Sequence, residues 1–350
     1  MKKALLISVI GVLLVRPAAP DTAAADGSAG EERLSAFITA ALRNNQKIQK
    51  AYHMWQAAEY RIKAVSGLPD PRLQYGYFGE SIETRVGPQK HRFGVSQTFP
   101  FPGKLHHAGK AQRQEARIQK LRYEAIQRDI IHKVKQAFYD LYWLDRALEI
   151  NQDEKAILED IEKIAQTKYE SKFLSQQNVV KVQVEIARLI EKANLIKQNR
   201  KSAAARINKM LSRSIDHPIS EITDLGVKDI SITLEEVQAA ALTFREELAA
   251  AGVDVEKSEI EKKLAFMDYI PDITLGYDYF EIDGGHTSSV DDGDDAWIGT
   301  VSVNMPLWFG KIQSGIRAKH EELRAARKNK KDIKESIAYE ARDIFFKLTT

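Results

Sequence analysis

Leu68 to Lys104 and Ile270 to Lys311 are two versions of one stretch, and this recurrence constrains the fold more than any other feature of the chain. Each copy opens on Pro-Asp (Pro69-Asp70, Pro271-Asp272). Each closes on a proline followed shortly by Gly-Lys (Pro100 to Gly103-Lys104, Pro306 to Gly310-Lys311). The copies lie about 200 positions apart, and similarity at a fixed offset marks an internal duplication. Two short runs inside each copy alternate with a period of two. Leu73, Tyr75 and Tyr77 share a face of the first run. Phe93, Val95, Gln97 and Phe99 share a face of the second, with Gly94, Ser96 and Thr98 opposite. The later copy repeats this with Ile273, Leu275, Tyr277 and Tyr279, then Trp297, Gly299, Val301, Val303 and Met305, opposite Ile298, Thr300, Ser302 and Asn304. Such alternation indicates strands with one apolar and one polar face, in β-hairpins over 72–99 and 272–305. Glu80 to His91 and Glu281 to Ala296, rich in Gly and charge, read as solvated hairpin loops. An isolated two-stranded hairpin is barely stable, so these must pair with each other or with copies from other chains.

Residues 1–25 read as a signal peptide. Lys2 and Lys3 precede an apolar run from Ala4 to Val15, and Ala23-Ala24-Ala25 offers a small-residue cleavage site. The run is shorter than the roughly 20 residues a bilayer span needs, so the mature chain is expected to be exported. Nothing else in the sequence is long and apolar enough for a transmembrane helix. If the protein sits in a membrane, it must do so as a closed β-barrel, because lipid does not tolerate open sheet edges. The chain has no cysteine, which leaves no attachment point for an N-terminal lipid. Its formal charge is +3, and near-neutral once the first residues are removed, which gives no reason to expect nucleic acid.

Between the hairpins the sequence is helical. Phe37, Ala41, Ile48, Tyr52, Trp55 and Ile62 recur at helical spacing from Leu34 to Ser66. Lys104 to about Thr167 contains no proline and carries an apolar stripe running from Ile118 and Leu121 through Phe138, Leu141 and Leu148 to Ile157, Ile161 and Ile164. About 60 helical residues would reach roughly 90 Å, a length for which a compact domain has no use. Val179, Val182, Ile186, Leu189, Ala193, Ile196, Arg200, Ala203, Ile207 and Met210 then alternate in steps of three and four, a heptad seam with one polar member, Arg200. The turn between the two helices falls near Tyr169 to Asn178. Arg213 to Ser231 reads as a linker, and Thr233 as the cap of the next helix. The expected organisation is a first repeat over 26–230, containing the long helix pair 104–211 and the linker, and a second repeat over 231–350. By the duplication, about 65 further residues would complete the second helix pair, whose first helix carries Ile316, Leu323, Ile333, Ile337 and Ile344.

The arrangement resembles the TolC-like outer-membrane efflux protein family. The residues that carry the likeness are Pro69-Asp70 and Pro271-Asp272, Gln97-Thr98-Phe99-Pro100 through Gly103-Lys104, and Met305-Pro306-Leu307 through Gly310-Lys311, in the family's order of helix, hairpin and helix pair, twice. The Phe99 to Lys104 segment looks most like the family's heavy-metal branch. The resemblance implies a mixed α and β membrane protein. It would be a homotrimer in which each chain gives four strands to a 12-stranded outer-membrane β-barrel above an antiparallel coiled-coil barrel in the periplasm. It implies an outer-membrane channel of a tripartite efflux or type I secretion system, working with a periplasmic adaptor and an inner-membrane pump of RND or ABC type. Tyr75, Tyr77, Phe93, Val95, Tyr277, Tyr279, Trp297, Val301 and Val303 would face the lipid. Lys168, Tyr169, Glu170, Ser171, Lys172, Phe173, Leu174, Ser175 and Gln176 would form the periplasmic tip that meets the partners. The family usually has glycine where Lys172 stands.

No catalytic or cofactor-binding constellation emerges. Adjacent His106 and His107 would point about 100° apart on a helix, poor geometry for sharing one ion. Asp291-Asp292-Gly293-Asp294-Asp295 lacks the spaced ligands of a calcium loop. There is no phosphate loop and no nucleophile elbow. The expectation is a passive export duct, neither an enzyme nor a user of cofactors or metals. The main alternative is a periplasmic coiled-coil scaffold without a pore, and a surface adhesin is a third.

Overall fold

A single helix, α3, organises the molecule. In the computed structural model it runs from Lys104 to Glu170, and helices from both halves of the chain lean on it. The structure describes residues 29–222, 225, 232–285, 288 and 290–349; the expected signal peptide and much of the expected linker lie outside them. The elements are α1 (Ala29–Asn44), α2 (Gln46–Ser66), β1 (Arg72–Thr84), β2 (Gly87–Phe99), α3, α4 (Gln176–Met210), α5 (Leu234–Phe244), α6 (Glu246–Phe266), a short 3-10 turn (Met267–Tyr269), β3 (Ile273–Ile282), β4 (Ala296–Val303) and α7 (Phe309–Thr349). At 1.5 Å per residue, the 67 residues of α3 span about 100 Å.

The four strands form one antiparallel sheet in the order β1-β2-β3-β4 at one end of this rod. The core lies further down, where α1 and α2 meet α3 and the end of α4. Val134, Phe138, Leu141 and Ile207 are inaccessible to solvent there, and Phe37 sets the edge of its ring on Phe138 at 5.9 Å. The second half packs through α6 on α3 and α7 on α6.

Two helices are interrupted where hydrophobic periodicity alone predicts continuity. Asn45 leaves the helical region between α1 and α2, with its side chain buried. Its Oδ1 accepts the Lys47 N–H at 2.9 Å and its Nδ2 donates to the Met210 carbonyl at 2.8 Å, so one amide caps α2 and ties it to the end of α4. Arg245 makes the corresponding break between α5 and α6 and pairs with Glu340 of α7 at 3.1 Å. Thr233 caps α5 in a reciprocal capping box with Glu236.

All ten heptad positions of α4 are buried or half-buried. The α3 stripe needs correction toward its far end. Ile157, Ile161 and Ile164 are exposed in the single chain, and the row that turns inward is Asn151, Lys155, Leu158, Glu162 and Ala165. Gln183 of α4 donates to Glu162 at 2.8 Å, which fixes the facing side. Neighbouring positions on a helix differ by about 100°, so a stripe counted through Ile157 and Ile164 had stepped onto the adjacent row.

The first hairpin spans 72–99 as expected, but its strands are longer. Glu80 to His91 is not a solvated loop: β1 continues to Thr84 and β2 begins at Gly87, with only Arg85 and Val86 between. What extends them is their neighbour. The Asp283 N–H donates to the Pro88 carbonyl at 2.9 Å, the Gly293 N–H to the Val86 carbonyl at 2.7 Å, and Arg85 pairs with Asp291 at 3.1 Å. In the second copy Glu281 and Ile282 end β3 and Ala296 opens β4, the expected loop lies partly outside the described residues, and Met305 falls just past the end of β4.

Candidate functional site

The sheet has two unlike faces, and its register is the reason. Leu73 stands opposite Val95, Val95 opposite Tyr277, and Tyr277 opposite Gly299; Tyr75 opposite Phe93, Phe93 opposite Tyr279, and Tyr279 opposite Trp297. From the helix end of the sheet as far as the register shifts beyond Tyr77 and His91, odd positions meet odd positions, so the apolar faces of the four strands join into one surface. All nine of Tyr75, Tyr77, Phe93, Val95, Tyr277, Tyr279, Trp297, Val301 and Val303 lie on it, each exposed in the single chain. The rings form rows: Tyr77 and Tyr75 against His91, Tyr75 against Phe93, and Tyr277 stacked on Trp297 at 5.8 Å. Cross-strand aromatic pairs of this kind contribute roughly 0.2–1 kcal/mol each.

The even face carries Gln74, Gly76, Gly94, Ser96, Thr98, Thr274, Gly276, Asp278, Thr300 and Ser302. Its electrostatic centre is the Arg92–Asp278 pair, with Nη2 to Oδ1 at 2.9 Å and Nε to the same oxygen at 3.0 Å; Asp278 is buried. Gly94 makes room for it, because a Cβ there would stand 2.4 Å from that carboxylate oxygen. Thr98 and Thr274 bond across the strands at 2.9 Å.

Sheet and helices are joined at one charged clasp. Gly103, left-handed at φ 106°, turns the chain out of β2 into α3. Lys104 Nζ then reaches the Asp272 carboxylate at 2.8 Å and the Ile270 carbonyl at 2.7 Å, and the Phe101 N–H donates to the same carboxylate at 2.8 Å. Two parts of the duplicated stretch, the Gly-Lys of the first copy and the Pro-Asp of the second, are thus partners. Both were visible in the sequence, but their pairing was not.

The far end of the helix pair is a Schellman turn. The Phe173 N–H donates to the Lys168 carbonyl at 2.8 Å and the Lys172 N–H to the Tyr169 carbonyl at 2.9 Å. Lys172 sits at the left-handed position with φ 60°, which accounts for the glycine common there in the resembling family. Lys168, Tyr169, Glu170, Ser171, Lys172, Phe173, Ser175 and Gln176 are exposed, Phe173 at 83%, and Leu174 is half-buried. Partway down the pair, Arg200 of the seam meets Asp145 of α3, and its Nη2 also donates to the Ile219 carbonyl at 3.1 Å. Asp145 in turn accepts the Ile222 N–H at 3.0 Å.

Three of the four aspartates from Asp291 to Asp295 make local side-chain bonds: Asp291 to Arg85, Asp292 to the Gly285 N–H, and Asp295 to the Tyr279 hydroxyl and the Ile282 N–H. His106 and His107 set their rings edge to face at 5.7 Å. No described helix is long and apolar enough to cross a membrane.

A two-faced sheet on the end of a rod of helices is the architecture of an outer-membrane channel. The family model for outer membrane efflux proteins matches residues 37–213, and the chain belongs to that family of outer-membrane efflux channels. In fold it is similar to VceC, an outer membrane protein of Vibrio cholerae (15% identity, TM-score 0.74, covering 91% of this chain and 79% of that one). It is similar to CusC, whose structures describe folding and transmembrane channel formation (14%, 0.72, 91% and 76%). The CmeC outer membrane channel of Campylobacter jejuni also matches (16%, 0.70, 86% and 67%). A sequence comparison with curated proteins finds no match.

Proposed function

We propose that three copies of this chain close a 12-stranded barrel in the outer membrane, with the helices continuing as a tunnel into the periplasm. The observation that carries this reading is the parity of the sheet register. It gathers most apolar side chains of four strands onto one surface and the small polar ones onto the other, where Phe280 and Ile298 are apolar exceptions, as a lipid-facing wall around an aqueous lumen requires. Four strands are too few for a transmembrane barrel, which has about eight or more, and β1 and β4 are left as edges. Further copies would also cover Ile157, Ile161 and Ile164, a row that a single chain exposes. The recurrence of helix, hairpin and long helix in both halves supports the internal duplication.

In this reading the protein is a passive duct and performs no reaction. Export is driven by an inner-membrane pump reached through a periplasmic adaptor, and the 168–176 turn is the contact with them. The nine aromatic and aliphatic positions of the odd face lie against lipid. Arg92, Asp278 and the threonines line the passage, where a polar wall keeps water in the bore.

The test is extraction followed by conductance. Recovery from outer membranes only with detergent, and discrete single-channel steps in planar bilayers, are expected. Release into the soluble periplasm without detergent would favour a coiled-coil scaffold.

A further inference from the structure

We propose that Lys311 of one chain and Asp70 of a second copy form a charged clasp equivalent to the internal one between Lys104 and Asp272, and that it locks β4 of one chain to β1 of the next. This rests on the ring reading above and adds to it the register and the contact at the seam.

The argument starts from the internal junction. Where β2 meets β3, the lysine that follows the outgoing strand grips the aspartate that precedes the incoming one, Lys104 on Asp272 at 2.8 Å. The duplicated stretch supplies the same two residues at the sheet's outer edges: Lys311 follows β4 and Asp70 precedes β1. Both are exposed, and neither has an ion-pair partner among the described residues. One bond before the lysine also recurs, although Gly103 is left-handed and caps α3 while Gly310 lies within the first turn of α7. The Lys104 N–H donates to the Phe101 carbonyl at 3.0 Å, and the Lys311 N–H donates to the Trp308 carbonyl at 3.0 Å. β4 and β1 are the two free edges, and a ring of copies brings them together antiparallel, as β2 and β3 already are.

The internal pairing also sets the register at the seam. Ser96 stands opposite Gly276 and Val95 opposite Tyr277. Transferred through the duplication, Ser302 stands opposite Gln74 of the next copy and Val301 opposite its Tyr75. Odd again meets odd, so the apolar surface continues across the seam, whereas a slip by one residue would turn it inward. The occupant of these edges is therefore a second copy of this chain.

The experiment uses the full chain, which has no cysteine of its own. One variant carries Gln74→Cys and Ser302→Cys and is oxidised in membranes. Directly opposed strand positions lie within disulfide reach, and a ladder ending at three linked chains is expected. A second set compares Asp70→Lys, Lys311→Asp and the double swap. Each single change is expected to lower the temperature at which the detergent-solubilised assembly separates, and the double swap to restore it. The mass of the parent assembly is measured alongside. A three-chain mass with a ladder, but no rescue by the swap, overturns the clasp. A three-chain mass without a ladder overturns the register. Absence of a three-chain mass overturns the ring reading itself, and the clasp with it.

Discussion

Arg200 and Asp145 face each other across the helix pair with little solvent around them, the aspartate side chain 6% exposed and the arginine 22%. The pair also fastens the segment beyond α4, since the Ile219 carbonyl bonds to the arginine and the Ile222 N–H to the aspartate. Removing one member of a buried pair costs about 3–5 kcal/mol because the other charge is left unpaired. Asp145→Ala is therefore expected to lower the thermal unfolding midpoint well below that of Arg206→Ala, whose exposed partner Asp140 lies at 3.3 Å. Circular dichroism melts of the two variants in detergent would check the order.

At the distal turn, Lys172 holds a left-handed conformation that glycine adopts without strain. Lys172→Gly is expected to stabilise the turn slightly, and Lys172→Val to destabilise it by about 1–2 kcal/mol through its branched Cβ. Hydrogen exchange at the Lys172 and Phe173 amides, both bonded back into α3, reads this locally.

Glu115 of α3 and Lys257 of α6 lie 2.8 Å apart and give the α3–α6 contact a pH dependence. Burial pushes the Glu115 carboxyl up, but hydrogen bonds from Lys257 and Gln119 outweigh it and leave it below its ordinary 4.5. Burial pushes Lys257 down, but its bond to Glu115 outweighs that and leaves it above 10.5. A lowered carboxylate stabilises the fold above its unfolded pKa, and that gain is lost as pH falls through the folded one. A raised lysine stabilises below its unfolded pKa and loses that gain as pH rises through the folded one. The contact should hold through neutral pH, weakening below 4.5 and above 10.5. The stability difference between the parent and Glu115→Gln is expected to shrink as the pH falls below that lower value.

The two faces of the sheet should answer differently to charge. Val301→Arg places a cation on the odd face and is expected to cost about 2–4 kcal/mol if that face meets the bilayer midplane, while Ser302→Arg on the even face should be tolerated. Yield of folded protein in lipid vesicles separates the two. Equal losses would argue against lipid on the odd face.

Single cysteines at Lys172 and Gln176 test the distal turn as the partner contact. Cross-linking to periplasmic proteins is expected from these sites and not from Gln74 or Asp278. The reverse pattern would mean that the sheet end faces the periplasm.

Much of this was legible because it is periodic. Alternation from Leu73 to Tyr77 and from Ile273 to Tyr279 marks faces directly, and the heptads from Val179 to Met210 mark a seam. What sequence could not give is the pairing of distant groups. Arg200 stood out as the polar member of its seam, but nothing singled out Asp145 among the acids of α3. The break at Arg245 has no local signal, whereas Asn45, a good capping residue, offered one that hydrophobic spacing overrode. The bounds of the first hairpin were legible but the length of its strands was not, because Glu80 to His91 looks like loop until β3 and the 291–295 segment are placed beside it.

The odd-with-odd register has a further consequence for how the sheet is made. A strand that paired one position out of step would present Ser, Thr and Gly to the hydrocarbon and turn its tyrosines toward water. The bilayer would then reject that pairing on solvation alone. Lipid would thus act as a proofreader during assembly, discarding misaligned edges that backbone hydrogen bonds, indifferent to side chains, would accept.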